Sequence, residues 1–465
     1  MWRFGKVALA TLAILALAVP AFGATDDRKP NLVLVLADDL GWGELGCYGQ
    51  RRIETPRIDR MAAEGVRFTQ HYAGSAVCAP SRCVLLTGLH TGHAFVRDNR
   101  EIRPEGQEPI PDATLTVAEV LKEAGYATAA IGKWGLGGPG SEGEPNRQGF
   151  DHFFGYLCQR LAHDHYPSYL WRNAERVETG APYSHDLFTE EALEFVRRNR
   201  ERPFFLYLAY AVPHLAIQVP EDSLAPYRGR WEDPPYEGGK GYRPHPTPRA
   251  AYAAMVSRLD RDVGRLLDLL RDLGLERDTL VLLSSDNGPT HGGVGGSDSE
   301  FFESAGPLRG LKGSLHEGGI RVPLVARWPG RIAAGRTTDH PSAFWDAMPT
   351  LLEVAGIEPP AAIDGISYAP TLFASGAQRA HAFLYWEFPG YGGQQAVRLG
   401  DWKGIRRGMN DGNLDLELYD LASDPSESRD LARERPGIVR RIREIMERER
   451  RPSPEFPLRP LDSPK

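Results

Sequence analysis

Asn31-Leu-Val-Leu-Val-Leu-Ala37, followed at once by Asp38-Asp39, decides how the rest of the chain is read. The apolar run is bounded by Lys29-Pro30 on one side and by the acidic pair on the other. A short continuous apolar run of this kind reads as a strand buried on both faces, as in a parallel sheet. A second run, residues 279–285 (TLVLLSS), ends in Asp286-Asn287. Further strands are predicted at 126–131, 204–210 and 322–328. Helical patterns lie between them. Residues 55–64 place Thr55 as N-cap and Pro56 at the first helical position. Others are predicted at 81–86 after a proline, at 116–124 ending at Gly125, at 185–199 and at 250–273. Strands alternating with helices predict an α/β fold, a large mixed, mostly parallel sheet flanked by helices.

The pattern changes after residue 378. Short strands at 382–388, 395–399, 402–406 and 417–421, then a charged helix at 436–450, predict a small C-terminal α+β subdomain with an antiparallel sheet. Residues 220–248, rich in Pro, Gly and Tyr, read as a long irregular insertion. At the other end, Arg3 and Lys6 precede an apolar run, and Ala21-Phe22-Gly23 sets small residues before a cleavage point. The run falls short of the ~20 residues that span a bilayer, so no stable membrane anchor is expected. The chain thus divides into a signal peptide (1–23), an α/β domain (28–377) and a C-terminal subdomain with its tail (378–465), exported to the periplasm or secreted.

Composition narrows the class. The 465 residues carry 55 basic and 62 acidic side chains, a formal net charge of −7, which argues against a nucleic-acid partner. Four cysteines in this length make no disulfide scaffold. No Gly-x-Gly-x-x-Gly follows the first strand, which disfavours a dinucleotide enzyme.

Ligands of parallel sheets gather outside the carboxyl ends of strands. Two such ends carry Asp38, Asp39, Asp286 and Asn287. Carboxylates and an amide suit Ca2+ or Mg2+, and the donor types do not choose between them. Between these strands lies Cys78-Ala79-Pro80-Ser81-Arg82, followed by Leu85-Leu86-Thr87-Gly88.

That segment resembles the signature of the type I sulfatases, the formylglycine-dependent, arylsulfatase-like enzymes of the alkaline-phosphatase-like superfamily. The resemblance runs along nearly the whole mature chain, in the family's order. It includes Ala37-Asp38-Asp39-Leu40-Gly41-Trp42-Gly43, Gly132-Lys133-Trp134, Pro213-His214, Ser285-Asp286-Asn287-Gly288 and Gly310-Leu311-Lys312-Gly313. Leu418-Tyr419-Asp420-Leu421 with Asp424-Pro425 resembles the family's C-terminal subdomain. The resemblance implies that a maturation enzyme converts Cys78 to formylglycine. One hydroxyl of its hydrate attacks sulfur, and the second expels sulfate and restores the aldehyde. It also implies one divalent cation, by family Ca2+ with Mg2+ as the alternative, on Asp38, Asp39, Asp286, Asn287 and position 78. Lys133 and Lys312 would stabilise the transferring group, Arg82 would hold the formylglycine hydroxyl, and His214 would contact sulfate or protonate the leaving alcohol.

One departure stands out. Many sulfatases read Gly-Lys-Trp-His, where the histidine contacts the formylglycine hydroxyl, but this chain has Gly135. His163, His165 and His93 are the nearby candidates for the vacated role. Arg97 and Asn99 are expected to line the leaving-group pocket. Aromatic residues between Tyr166 and Tyr242 are candidates for packing on sugar rings, so a sulfated carbohydrate leads, with aryl sulfates as artificial substrates. Two rivals remain: a phosphatase or phosphodiesterase on the same scaffold, and a non-catalytic sulfated-glycan-binding protein in which Cys78 stays a thiol. The one-metal ligand set with Cys-x-Pro-Ser-Arg speaks against the first.

Overall fold

The computed structural model describes residues 28–462, so the predicted leader lies outside the described residues. Eleven strands form the large sheet: β1 (Asn31–Asp38), β2 (Val66–Tyr72), β3 (Ala127–Lys133), β4 (His152–Tyr156), β5 (Tyr169–Arg172), β6 (Glu175–Glu178), β7 (Phe204–Pro213), β8 (Thr279–Ser285), β9 (Arg321–Arg327), β10 (Arg336–Thr338) and β11 (Ser342–Ala343). Their order is β10-β2-β9-β8-β1-β7-β3-β4-β5-β6, with β11 also on β2. The central pairs β8-β1, β1-β7, β7-β3 and β3-β4 are parallel, whereas β9 runs antiparallel to both β8 and β2.

Every residue of β1 is buried. Side chains alternate across a strand, and here both faces meet apolar layers. Leu32, Leu34 and Leu36 pack into one core with the helices Cys78–Thr87, Val117–Glu123 and Ala347–Val354. Val33, Val35 and Ala37 pack into the other with Pro56–Ala63, Ser184–Arg198 and Pro248–Asp272. The mixed, mostly parallel sheet flanked by helices is therefore as the alternation predicts. Thr116 closes a full capping box with Glu119 at the start of its helix. The helix expected from residue 81 instead begins at Cys78. Pro80 falls in its first turn, where the missing N–H has no partner to lose.

The second sheet is antiparallel and four-stranded, in the order β12 (Leu384–Phe388), β13 (Gln394–Leu399), β14 (Trp402–Arg407) and β15 (Glu417–Asp420). The helix Pro436–Arg448 covers it through Ile442, Ile445 and Met446. The two sheets are joined through buried polar groups. Lys403 Nζ lies 2.9 Å from Glu317 Oε1 and 3.1 Å from Glu427 Oε1. Gln394 Nε2 donates to the Gly313 carbonyl at 2.7 Å, and its Oε1 accepts the Leu315 amide at 3.0 Å. Both contacts brace the loop that carries Lys312. No described helix is long and apolar enough to cross a membrane.

Candidate active site

Four adjacent strands deliver the site from their carboxyl ends. Asp38 closes β1 and Asp39 follows it; Asp286 and Asn287 follow β8; Lys133 closes β3; His214 follows β7. Asp39 turns the chain out of β1 with φ 64°, a left-handed value that aspartate tolerates better than most residues other than glycine and asparagine. Cys78 is the first residue of its helix, at the positive end of the helix dipole. Its Sγ lies 3.4 Å from Asp38 Oδ1, 3.3 Å from Lys133 Nζ and 3.5 Å from Lys312 Nζ. Arg82 lies one turn further on the same face. Its Nε and Nη2 donate to Asp286 Oδ2 at 3.0 and 2.7 Å, and Nη1 donates to the Lys133 carbonyl. Lys133 Nζ bonds Asp38 Oδ2, and Lys312 Nζ sits 2.8 Å from Asp39 Oδ1.

Asp38, Asp39, Asp286, Asn287 and Arg82 are all 0% exposed, so the three carboxylates and the three cations must answer one another. Burial and Asp38 push the Asp286 carboxyl up, against Arg82, Lys133 and Lys312. Burial works against the charge on Lys312, but Asp39, Cys78 and Asp38 outweigh it and hold the ammonium well above the usual lysine range. Burial and then Asp38 push the Cys78 thiol up to about 12. Burial, then Lys312 and Lys133, hold His214 well below the usual imidazole range.

The donor set fits a hard divalent cation. Asn287 donates its Nδ2 to Asp39 Oδ1 at 2.7 Å, while its Oδ1 is buried without a hydrogen-bond partner. That orphaned oxygen faces no penalty if it ligates an ion. Asp38, Asp39, Cys78 and His214 bring one ligand atom each within 4.8 Å of one another, and Asp286 and Asn287 hydrogen-bond Asp39 beside them.

The remaining predicted residues separate. His163 joins the site: its ring lies 4.6 Å from that of His214, and Tyr242 from the 220–248 insertion reaches its Nδ1 at 3.1 Å. The groups packed around its ring, then Lys133 and Lys312, hold His163 below the usual imidazole range, although the residue keeps an exposed edge. His165 instead lies behind His214, fully buried, its Nε2 bonded to the His214 carbonyl at 2.9 Å. His93 is not brought to Cys78. It bonds Asp364 at 2.9 Å and stacks on His90. Arg97 is spent on Glu387 at 2.6 Å and on the carbonyls of Ala94, Gly92 and Arg451, so it has no fork to offer a leaving group. Asn99 does approach the site, and its Oδ1 accepts the Ala79 amide at 3.0 Å. Among the aromatic candidates Tyr242 meets the site. Tyr169 and Trp171 bond Glu105 instead, and Tyr227 bonds the Glu54 amide.

Sequence reasoning missed Gln159. A Cβ at Gly135 would lie 2.6 Å from Gln159 Nε2, so this amide fills the space that a side chain at 135 would take. That nitrogen is buried and has no hydrogen-bond partner. The one signal for it was the unexpected glycine.

Known proteins are similar to this chain in sequence and fold. The family model "Sulfatase" matches residues 30–357, and "N-sulphoglucosamine sulphohydrolase, C-terminal" matches 311–451. N-acetylgalactosamine-6-sulfatase of Canis lupus familiaris is 34% identical over 404 residues, covering 80% of this chain and 72% of the relative. Arylsulfatase G of Mus musculus is 32% identical over 457 residues, 86% of this chain and 81% of the relative. The crystal structure of Ps i-CgsB in complex with k-i-k-neocarrahexaose superposes with a TM-score of 0.77 at 27% identity, covering 94% of this chain and 96% of that one. On the match of the family model to most of the chain, and on relatives above 30% identity over most of both lengths, the chain belongs to the type I sulfatases of the alkaline-phosphatase-like superfamily, which are sulfuric ester hydrolases.

Proposed function

We propose that this sulfatase is exported and hydrolyses the sulfate ester of a sulfated carbohydrate, using formylglycine made from Cys78 and one divalent cation, Ca2+ by family resemblance. The observation that carries the reading is Cys78 itself, at a helix N-terminus between the ammonium groups of Lys133 and Lys312. The carbohydrate rests on the relatives: one is named for N-acetylgalactosamine 6-sulfate, and another is solved with a neocarrahexaose. Residues 1–23 are assigned to the export leader, 28–377 to the catalytic domain and 378–465 to the C-terminal subdomain.

In the structure Cys78 stands in for the modified residue, whose hydrate supplies one hydroxyl to attack sulfur and a second to release sulfate. The cation, when bound, polarises sulfate oxygens and acidifies the attacking hydroxyl. Lys133 and Lys312 stabilise the charge that spreads over the transferring group. Arg82, locked on Asp286, holds the hydroxyl side of position 78. His214 donates its Nδ1–H to the Leu215 carbonyl, so Nε2 is unprotonated in the neutral ring and gives the leaving oxygen a proton only after taking one up. His163 takes the base role vacated at Gly135. With its Nδ1–H donated to the Tyr242 oxygen, the neutral ring keeps an unprotonated Nε2 that accepts a proton.

The reading is tested on protein made with a maturation enzyme. The tryptic peptide 68–82 is expected to carry an aldehyde in place of the thiol, and the protein to turn over a sulfated monosaccharide. A thiol at 78, in a host that matures a control sulfatase, ends the formylglycine reading. His163→Ala is expected to lower kcat about a hundredfold or more, the usual worth of a positioned proton acceptor. His165→Ala should instead lower the melting temperature, because a buried, bonded imidazole is lost. An unchanged rate in His163→Ala returns the base role to another group.

A further inference from the structure

The mouth of the site is built in part by the second sheet. The turn between β12 and β13, residues 389–393, reads Pro-Gly-Tyr-Gly-Gly. Tyr391 at its tip is 59% exposed, although large apolar side chains are buried nearly everywhere else among the described residues. Its φ is 50°, in the left-handed region where a side chain is disfavoured. Gly392 and Gly393 beside it also have positive φ, so glycine at 391 would be the unstrained choice. A side chain kept at such a position, exposed and next to a reactive site, points to function.

The tyrosine is aimed. A Cβ on Gly313, the residue after Lys312, would come within 2.5 Å of Tyr391 Cε1, so the ring leans on the catalytic loop. The hydroxyl is 3.2 Å from His291 Nε2, and the two rings stack at 5.5 Å and 27°. Lys312, Asp39, Cys78 and Asp98 all lie within electrostatic reach of that hydroxyl. Asp98 completes the wall. Its Oδ1 accepts the Asn99 amide at 2.7 Å, while Oδ2 faces the turn, 2.7 Å from where a Cβ on Gly390 would stand. No salt bridge to Asp98 occurs among the described residues. Burial raises its carboxyl to about 6, in keeping with a group that lacks a cationic partner.

An aromatic face and a spare carboxylate oxygen match a pyranose. The C–H face of the sugar packs on the ring, and the hydroxyls find the oxygen and the imidazole. We propose that Tyr391, Asp98 and His291 form the wall that recognises the sugar ring carrying the sulfate ester, with Tyr391 and Asp98 determining specificity. This rests on the sulfated-carbohydrate reading above.

The test uses Tyr391→Gly, which suits the left-handed backbone and so preserves the turn, and Asp98→Ala. Two measurements are made on aldehyde-bearing protein. One is kcat/KM on galactose 6-sulfate, N-acetylgalactosamine 6-sulfate and 4-nitrophenyl sulfate. The other is saturation-transfer NMR with the sulfate-free sugars, which reads binding without catalysis. Tyr391→Gly is expected to lose the sugar signal and about tenfold or more in kcat/KM on the better sugar sulfate, as a central aromatic contact does. Asp98→Ala is expected to lose about tenfold on the sugar sulfate, while 4-nitrophenyl sulfate, which has no hydroxyl to offer, stays within about threefold. Sugar binding and turnover unchanged in both variants, or no sugar signal with the unaltered protein, overturn the wall. Sugar binding that depends on Tyr391, without cleavage of any sulfate ester, upholds the wall and overturns the reaction.

Discussion

Cys78→Ala is expected to lower kcat on a sulfated monosaccharide by about a thousandfold or more and to leave the fold intact. The rate falls because Cys78 is the side chain that both Lys133 and Lys312 reach, and its loss removes the group placed to take the sulfuryl group. What remains is the clamp itself, and electrostatic placement without a nucleophile retains only a residue of the rate. Stability changes little, since the thiol is one small buried group and the Lys133–Asp38 and Lys312–Asp39 pairs survive its loss. Cys78→Ser sharpens the test. A serine has one hydroxyl, so a sulfated serine has no second hydroxyl to expel sulfate. Release of alcohol should stop after about one equivalent, read as a burst without a steady state. Full turnover by Cys78→Ala, measured beside an unchanged melting curve, would remove Cys78 from the chemistry.

The fold was legible where burial is two-sided. β1 and β8 are covered on both faces, so they appear as unbroken apolar runs, and both were found to within a residue. β2 was missed because Arg67, Thr69 and Gln70 break its run, and β5 and β6 because they form a half-exposed hairpin of charged and aromatic residues. The strand-end carboxylates were legible for a related reason: a parallel sheet fixes where its loops gather before any loop is known. Nearness in sequence misled for His93 and Arg97. The ten-residue helix after Cys78 carries the chain about 15 Å from the site, and both residues lie beyond its far end. The chain returns at Asp98 and Asn99; Asn99 was expected near the site, whereas nothing in the sequence singled out Asp98. Gln159, His163 and Tyr391 were hidden or ambiguous for the same reason. Each reaches the site on a loop whose path is set by packing, not by its own sequence.

Asp286→Ala is expected to destabilise the protein by about 3–5 kcal/mol and to remove activity as well. Arg82 is fully buried, and Asp286 Oδ2 receives two of its donors at 3.0 and 2.7 Å, while Asp38 stands off at 3.7 Å. Removing one partner of a buried pair leaves the other charge uncompensated, and that is the dominant cost. The change shows as a lower midpoint in denaturant with the slope kept. Asp286 is also one of the groups that would hold the cation, and this second role is read separately. Ca2+ at a hundred times its Kd should stabilise the unaltered protein by about 2.7 kcal/mol, because it binds the folded state alone. In Asp286→Ala this increment should vanish. Asp286→Asn, which keeps the shape and an acceptor but not the charge, should lie between the two in both readings. If the variant loses stability yet keeps the calcium increment, Asp286 serves Arg82 alone and the cation rests on β1 and Asn287. If both are lost, one carboxylate fixes the arginine under position 78 and the ion beside it, so the two halves of the site form together.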